Sequence, residues 1–130
     1  MRKRVFGRQL SRGRKSRMAL FRSLVRAVVL EGKITTTVAK AKSVQAQIEK
    51  LVTLAKQGSL VSRRKILAYL ANDRKVTDKL FGPIAKVFSA RSGGYTRLVP
   101  LPPRQGDSAK MARLEWTAYE NVPTQSKGNK

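Results

Sequence analysis

The sequence contains no cysteine and no histidine. Without cysteine there is no disulfide framework, no thiolate zinc site and no thiol nucleophile. Without histidine every Ser-His, Cys-His or His-metal mechanism is excluded. Acidic residues are scarce, with 7 Asp and Glu against 29 Lys and Arg. Seven scattered carboxylates suit no carboxylate-only metal site. No run reaches the roughly 18 apolar residues of a membrane span. Neither of the common phosphate-binding glycine loops is present. Asp73 and Asp78 are spaced for different faces of a helix, and Asp107 follows a glycine, as turn-forming aspartates do. These absences argue against an enzyme, a resident metal and a cofactor.

What is there is one domain's worth of chain. Its 130 residues are 41% hydrophobic, enough for a core without crosslinks. The formal net charge is +22 at pH 7. Such a charge repels itself in the compact state and calls for an anionic partner. Nucleic acid is the first candidate, and an anionic membrane surface the second.

The charge is unevenly placed. Met1 to Arg26 holds ten basic residues and no acidic one, and the first carboxylate is Glu31. Residues 1–15, with Gly7, Ser11 and Gly13, read as an extended basic arm that does not fold by itself. A solvated tail or an organellar targeting signal is the competing reading. The arm runs without a linker into a helical pattern, which favours the first. Residues 118–130 are polar and aperiodic and are expected to be a disordered tail.

Between them, residues 16–117 show a mixed pattern. A first helix is predicted to start between Ser11 and Ser16, either of which can cap it. Met18, Phe21, Val25 and Val28 share its core face, with Leu24 and Val29 beside them, and Gly32 ends it. Lys15, Arg22 and Arg26 form a cationic stripe with no acid at i±4, which favours phosphate binding over a merely solvated face. The β-branched run Lys33–Val38 predicts a short strand, with Thr36 or Thr37 as the next cap. Ala41, Val44, Ile48, Leu51, Val52 and Ala55 make a clean 3.6-residue stripe, and Gly58 ends that helix.

A third helix is expected over Ser59–Ala71, with Ile66, Leu67 and Leu70 inward. Arg63, Arg64 and Lys65 near its start oppose the helix dipole. They are either a phosphate site or an exposed turn. Asp73 is placed to cap a fourth helix, kinked or split at Gly82-Pro83. Tyr95–Leu101 and Met111–Thr117 alternate as strands, with Ala112, Leu114 and Trp116 on one face and Pro100 marking an edge. The sum is an α+β domain whose small sheet is covered by helices on one side.

The junction Ser92-Gly93-Gly94-Tyr95-Thr96-Arg97 combines glycines, an aromatic ring and an arginine. Such a set lets a backbone approach, stacks a base and grips a phosphate. A plain turn with a core tyrosine is the other reading. Phe6, between Arg4 and Arg8, is a similar anchor within the arm.

Several of these pieces, in order, resemble the bacterial-type large-subunit ribosomal protein 17 family. They are Gly7-Arg8 and Leu10; Thr36-Thr37 before Ala39-Lys40-Ala41-Lys42; Leu51 through Lys56; Arg63-Arg64; and Lys79-Leu80-Phe81. Gly93 through Arg97, Arg104, Gly106-Asp107 and Met111-Ala112 are the most specific. The likeness runs from Met1 to about Thr117. It implies a two-layer α-β-α-α-α-β-β fold and a structural role in the large ribosomal subunit. It also implies binding to large-subunit ribosomal RNA near the peptide exit region, and contact with the small ribosomal protein numbered 32. The sequence departs from the family at Lys3 and Ser16, where histidines are usual. It departs again at Gly82-Pro83 and at Lys110, which replaces a common proline.

The expected RNA contacts are Arg2, Lys3, Arg4, Arg8, Arg12, Arg14, Lys15, Arg22, Arg26, Lys40, Lys42, Arg63, Arg64, Tyr95, Arg97 and Arg104. The expected function is that of a cytoplasmic ribosomal scaffold protein. A free nucleoid protein or RNA chaperone is the alternative, since the same charge would serve it. Such a binder does not require the Gly93–Arg97 and Arg104–Met111 pattern.

Overall fold

A computed structural model describes residues 7–118. Helix α1 spans Arg14–Glu31, strand β1 Lys33–Thr37, helix α2 Val38–Gln57 and helix α3 Leu60–Tyr69. Helix α4 covers Arg74–Lys79, runs through a π turn at Leu80–Ile84, and ends in the short α5, Ala85–Val87. Strands β2 (Thr96–Leu101) and β3 (Met111–Trp116) follow. This is the α+β order that the sequence predicts.

The sheet is antiparallel with order β1-β3-β2. The middle strand is the last in sequence, so β3 must form for the sheet to exist. Leu114 lies opposite Ile34 on one side and Leu98 on the other. Pro100 sits on the edge strand β2, where its missing N–H breaks no ladder with a third neighbour. Ala112, Leu114 and Trp116 point into the core.

Helix α2 crosses that face of the sheet and is the spine of the domain. Its six predicted stripe residues are all buried, from Ala41 to Ala55. Val25, Val28 and Val29 of α1, Ile66 and Leu70 of α3, and Val76, Leu80, Ile84 and Phe88 complete the core. Two helices stop where glycine permits a left-handed residue: Gly32 has φ 82° and Gly58 has φ 67°. An alanine there would carry a clash that glycine avoids.

The Gly82-Pro83 interruption is a π turn rather than a break. Proline has no N–H to donate, and the wider turn absorbs the mismatch. The buried indole N–H of Trp116 finds no acceptor among the described residues.

Three local expectations are corrected. Neither Ser11 nor Ser16 caps α1. Gly13 occupies the cap with extended backbone and no side-chain bond, Ser11 has φ 52°, and Ser16 lies within the helix. Arg14 and Lys15 are therefore helical rather than part of an extended arm. Met18 is 42% exposed, because the buried core of α1 begins about two turns later at Val25, with Phe21 packed at its edge. Leu67 is only half-buried, whereas Ile66 and Leu70 are inward as expected. The disordered-tail expectation falls almost wholly on residues 119–130, outside the described residues.

Candidate nucleic-acid interface

None of the helices has an acidic residue in its first turn. A helix N-terminus carries partial positive charge, so cations there are unfavourable unless an anion joins them. Helix α1 opens with Arg14, Lys15 and Arg17, and α2 places Lys40 and Lys42 in its first two turns. Arg14, Lys15, Lys40 and Lys42 have no internal partner among the described residues. The same holds for Arg8, Lys50, Arg64 and Lys65.

The last residues of the arm are not extended. Leu10 and Ser11 are both left-handed, with φ 54° and 52°. Such residues need a surrounding that holds them. The Arg12 N–H donates to the Gln9 carbonyl at 3.2 Å. From inside α1, Arg17 Nη1 donates to the Arg12 carbonyl at 3.0 Å and to that of Gln9 at 3.5 Å. Arg17 thus folds the turn back over the start of α1. A groove of about 290 Å³ results, lined by Gly7, Arg8, Gln9, Arg17, Phe21, Ser43 and Gln47.

The groove continues along α2. Gln47 also lines a second cleft, with Lys50, Leu51, Leu54, Lys65 and Tyr69. Tyr69 Oη donates to Gln47 Oε1 and joins the two clefts. Burial raises the pKa of that phenol, partly opposed by the Arg22 charge, so it stays protonated and donating. Arg8, Arg17, Lys50 and Lys65 therefore follow one seam, interleaved with Phe21 and Tyr69. Cations alternating with aromatic rings are the surface that tracks a nucleic-acid backbone and offers faces to its bases.

Other predicted contacts are wired into the fold. Arg22 Nε donates to the Tyr69 carbonyl at 2.7 Å, and Arg26 pairs with Asp73 at 3.0 Å. These two of the three predicted stripe cations tie α1 to the turn before α4. Asp73 also caps α4 through the Val76 N–H, as expected. Arg63 pairs with Asp78 and lies over the Phe81 ring. Arg104 makes a two-pronged contact with Asp107, at 2.8 and 2.7 Å, that closes the loop before β3. The hydrogen bond from Arg104 holds the Asp107 carboxyl well below the usual carboxylate range.

Tyr95 is corrected outright as a base-stacking residue. It is 1% exposed, and its ring meets Phe88 edge-on with centroids 5.3 Å apart. Its hydroxyl accepts from Lys56 Nζ and donates to the Arg91 carbonyl. The Gly93–Arg97 junction is a structural clamp. Glu49 of α2 accepts from the N–H groups of Tyr95 and Thr96 at 3.1 and 2.9 Å, and from the Thr96 hydroxyl at 2.7 Å. Arg97 is exposed but pairs with Glu115 across the sheet at 2.7 Å. Arg113 holds the other oxygen of Glu115 at 2.8 Å. Burial pushes the Glu115 carboxyl up, but the two arginines outweigh it and leave its pKa lowered. Arg2, Lys3 and Arg4 lie outside the described residues.

Sequence reasoning missed Arg17, Glu49, Ser43 and Gln47. Glu49 had a signal, being the single carboxylate in the 20-residue α2. The others had none, because their roles depend on how the arm meets two helices.

Among the described residues there is no group of three metal-ligating side chains, and no helix is long and apolar enough to cross a membrane. Five of the six described carboxylates bind groups within the fold, and a set of described cations has no internal partner. The described residues form a cation-faced α+β domain. Comparison with known proteins then fixes its place. The family model for ribosomal protein L17 matches residues 20–117. The large ribosomal subunit protein bL17 of Natranaerobius thermophilus is 48% identical over 108 residues, covering 83% of this chain and 95% of that protein. The bL17 of Hydrogenobaculum sp. is 45% identical over 117 residues, covering 89% and 98%. That of Koribacter versatilis is 43% identical over 122 residues, covering 94% and 75%. The chain belongs to the ribosomal protein L17 family. It is a ribosomal protein and not an enzyme.

Proposed function

We propose that this chain is a cytoplasmic structural constituent of the large ribosomal subunit, and that it binds large-subunit ribosomal RNA. Binding uses the basic arm and the seam formed by the starts of α1 and α2 with the outer edge of α3. The observation that carries this reading is the sorting of charge. Four of the six described carboxylates, Asp73, Asp78, Asp107 and Glu115, pair with arginines of the fold, while Arg8, Arg14, Lys15, Lys40, Lys42 and Arg64 have no such partner among the described residues. Unpartnered cations at helix starts are stabilised when phosphates approach them. Arg2, Lys3 and Arg4 extend that charge along the arm. Arg22, Arg26, Arg63, Arg97 and Arg104 position the surface and add field to it. Neighbouring large-subunit proteins, the small protein numbered 32 among them, are the protein partners. The exposed Leu60 and Val61 at the start of α3 suit such a contact.

The test is fractionation of a native cell extract on a high-salt sucrose gradient, with the chain followed by mass spectrometry. Stoichiometric migration with the large subunit is expected. A freely exchanging cationic protein loses orders of magnitude in affinity under those conditions. Recovery only in light fractions or with bulk nucleic acid would move the reading to a nucleic-acid chaperone. Removing residues 1–13 should leave a folded domain that no longer enters subunits, and normal entry would refute the role given to the arm.

A further inference from the structure

The groove between the arm turn and helices α1 and α2 brings two arginines, Arg8 and Arg17, together with an aromatic ring, Phe21. The groove is concave, and its volume of about 290 Å³ lies at the small end of the roughly 300–1,000 Å³ range for ligand clefts. That is room for one nucleotide and not for a duplex. Phe21 lines it while packing against the core from its other side, so the ring is held and not free to fold away.

The polar groups around the ring are already oriented. Tyr69 Oη donates to Gln47 Oε1, which fixes the amide and leaves both Nε2 hydrogens without a partner among the described residues. Ser43 Oγ donates to the Ala39 carbonyl at 2.8 Å, so its lone pairs remain open. Arg17 gives only Nη1 to the arm turn, which leaves Nε and Nη2 available, and Arg8 has no internal partner among the described residues. One site thus offers a flat apolar face, a fixed double donor, an acceptor and two guanidinium groups.

We propose that this groove receives a single unpaired nucleotide of the bound RNA. The base lies against Phe21, its polar edge meets Gln47 and Ser43, and its phosphate meets Arg8 and Arg17. A paired base has its polar edge occupied and its faces stacked, so only a nucleotide out of the helix can enter. Arg17 is the organising residue, because the carbonyls it binds close the arm side of the groove. The proposal rests on the RNA-binding reading above and adds to it the recognition of an unpaired position.

The test uses the full chain and two synthetic hairpin RNAs with the same stem, one of them interrupted by a single unpaired nucleotide. Their affinities are compared at one fixed salt concentration. The wild-type chain should prefer the interrupted hairpin roughly tenfold, as one base stacked on an aromatic ring provides. In Phe21→Leu that ratio should fall to about one, and in Gln47→Leu, which keeps the ring but removes the edge contact, it should fall severalfold. Circular dichroism checks each fold, and if Phe21→Leu is unstable, Gln47→Leu decides. Equal wild-type affinity for the two hairpins, with steep salt dependence retained, would overturn the slot and leave RNA binding intact. A preference that survives both substitutions would likewise overturn the slot. Binding to neither hairpin would overturn the slot together with the reading it rests on.

Discussion

The sheet end and the helical start of this molecule carry the same kinds of cation and use them differently. At the sheet end, Arg97 and Arg113 close on Glu115, and Arg104 closes on Asp107. At the helical start, Arg8, Arg14, Lys15, Lys40 and Lys42 face outward with no carboxylate near them. Arginines of the first set hold a strand pair and a loop in register. The cations of the second set, all but Arg8 on helices α1 and α2, have no such partner, and their mutual repulsion is relieved by an anion. A cation's composition-level meaning is thus set by whether the fold gives it a carboxylate. With 7 acids for 29 bases, few can have one.

The largest loss of stability is expected at the spine beneath both regions. Ile48 of α2 is 1% exposed and packs between the sheet and the helices. Ile48→Ala should cost about 2–5 kcal/mol by transfer and cavity formation, read as a lower urea midpoint. RNA affinity of the folded fraction should not change.

A smaller loss sharpens the contrast from the sheet side. Glu49→Ala removes the acceptor of two backbone N–H groups and one hydroxyl. Leaving those groups unpaired in a buried junction should cost about 1–3 kcal/mol in chemical denaturation. A neutral result would mean that the clamp is not what orders Gly93–Arg97.

Glu115 provides a pH test of the same side. Its native pKa is lowered, so its ion pairs add stability that is fully present above the ordinary carboxylate value of 4.5. That stability is lost as pH falls through the lowered native value. The melting-temperature gap between wild type and Glu115→Gln should therefore be constant from neutral pH to about pH 5 and shrink below it. A gap that widens on acidification would reverse the assigned sign.

Much of this was legible in the sequence. The α2 stripe, the glycine stops at Gly32 and Gly58, the Asp73 cap, the edge position of Pro100 and the inward face of β3 all follow from local chemistry. A periodic stripe needs a core and nothing more specific. The candidate site was legible only as charge. Sequence shows that Arg97 and Arg104 are basic, but not that Glu115 lies across a ladder from one or that a loop folds Asp107 onto the other. Tyr95 shows the same limit. A tyrosine after two glycines reads equally as a stacking platform or a core residue, and only the packing of Phe88 against it decides. The start of α1 misled for a related reason. Serine is a favoured cap, yet here Arg17 closes the preceding turn by binding carbonyls five and eight residues back, a contact that helix-cap preferences do not encode.

The most direct test is the salt dependence of RNA binding by a chain carrying Arg14→Gln, Lys15→Gln, Lys40→Gln and Lys42→Gln together. These residues, exposed or in the case of Lys40 half-buried, have no partner among the described residues, so each change should shift stability by no more than about 0.5 kcal/mol. The slope of log affinity against log salt should flatten by roughly three units, because the phosphate contacts of four cations are gone. An unchanged slope with a folded protein would contradict the account, since the outward-facing cations would then not be the ones that hold the RNA.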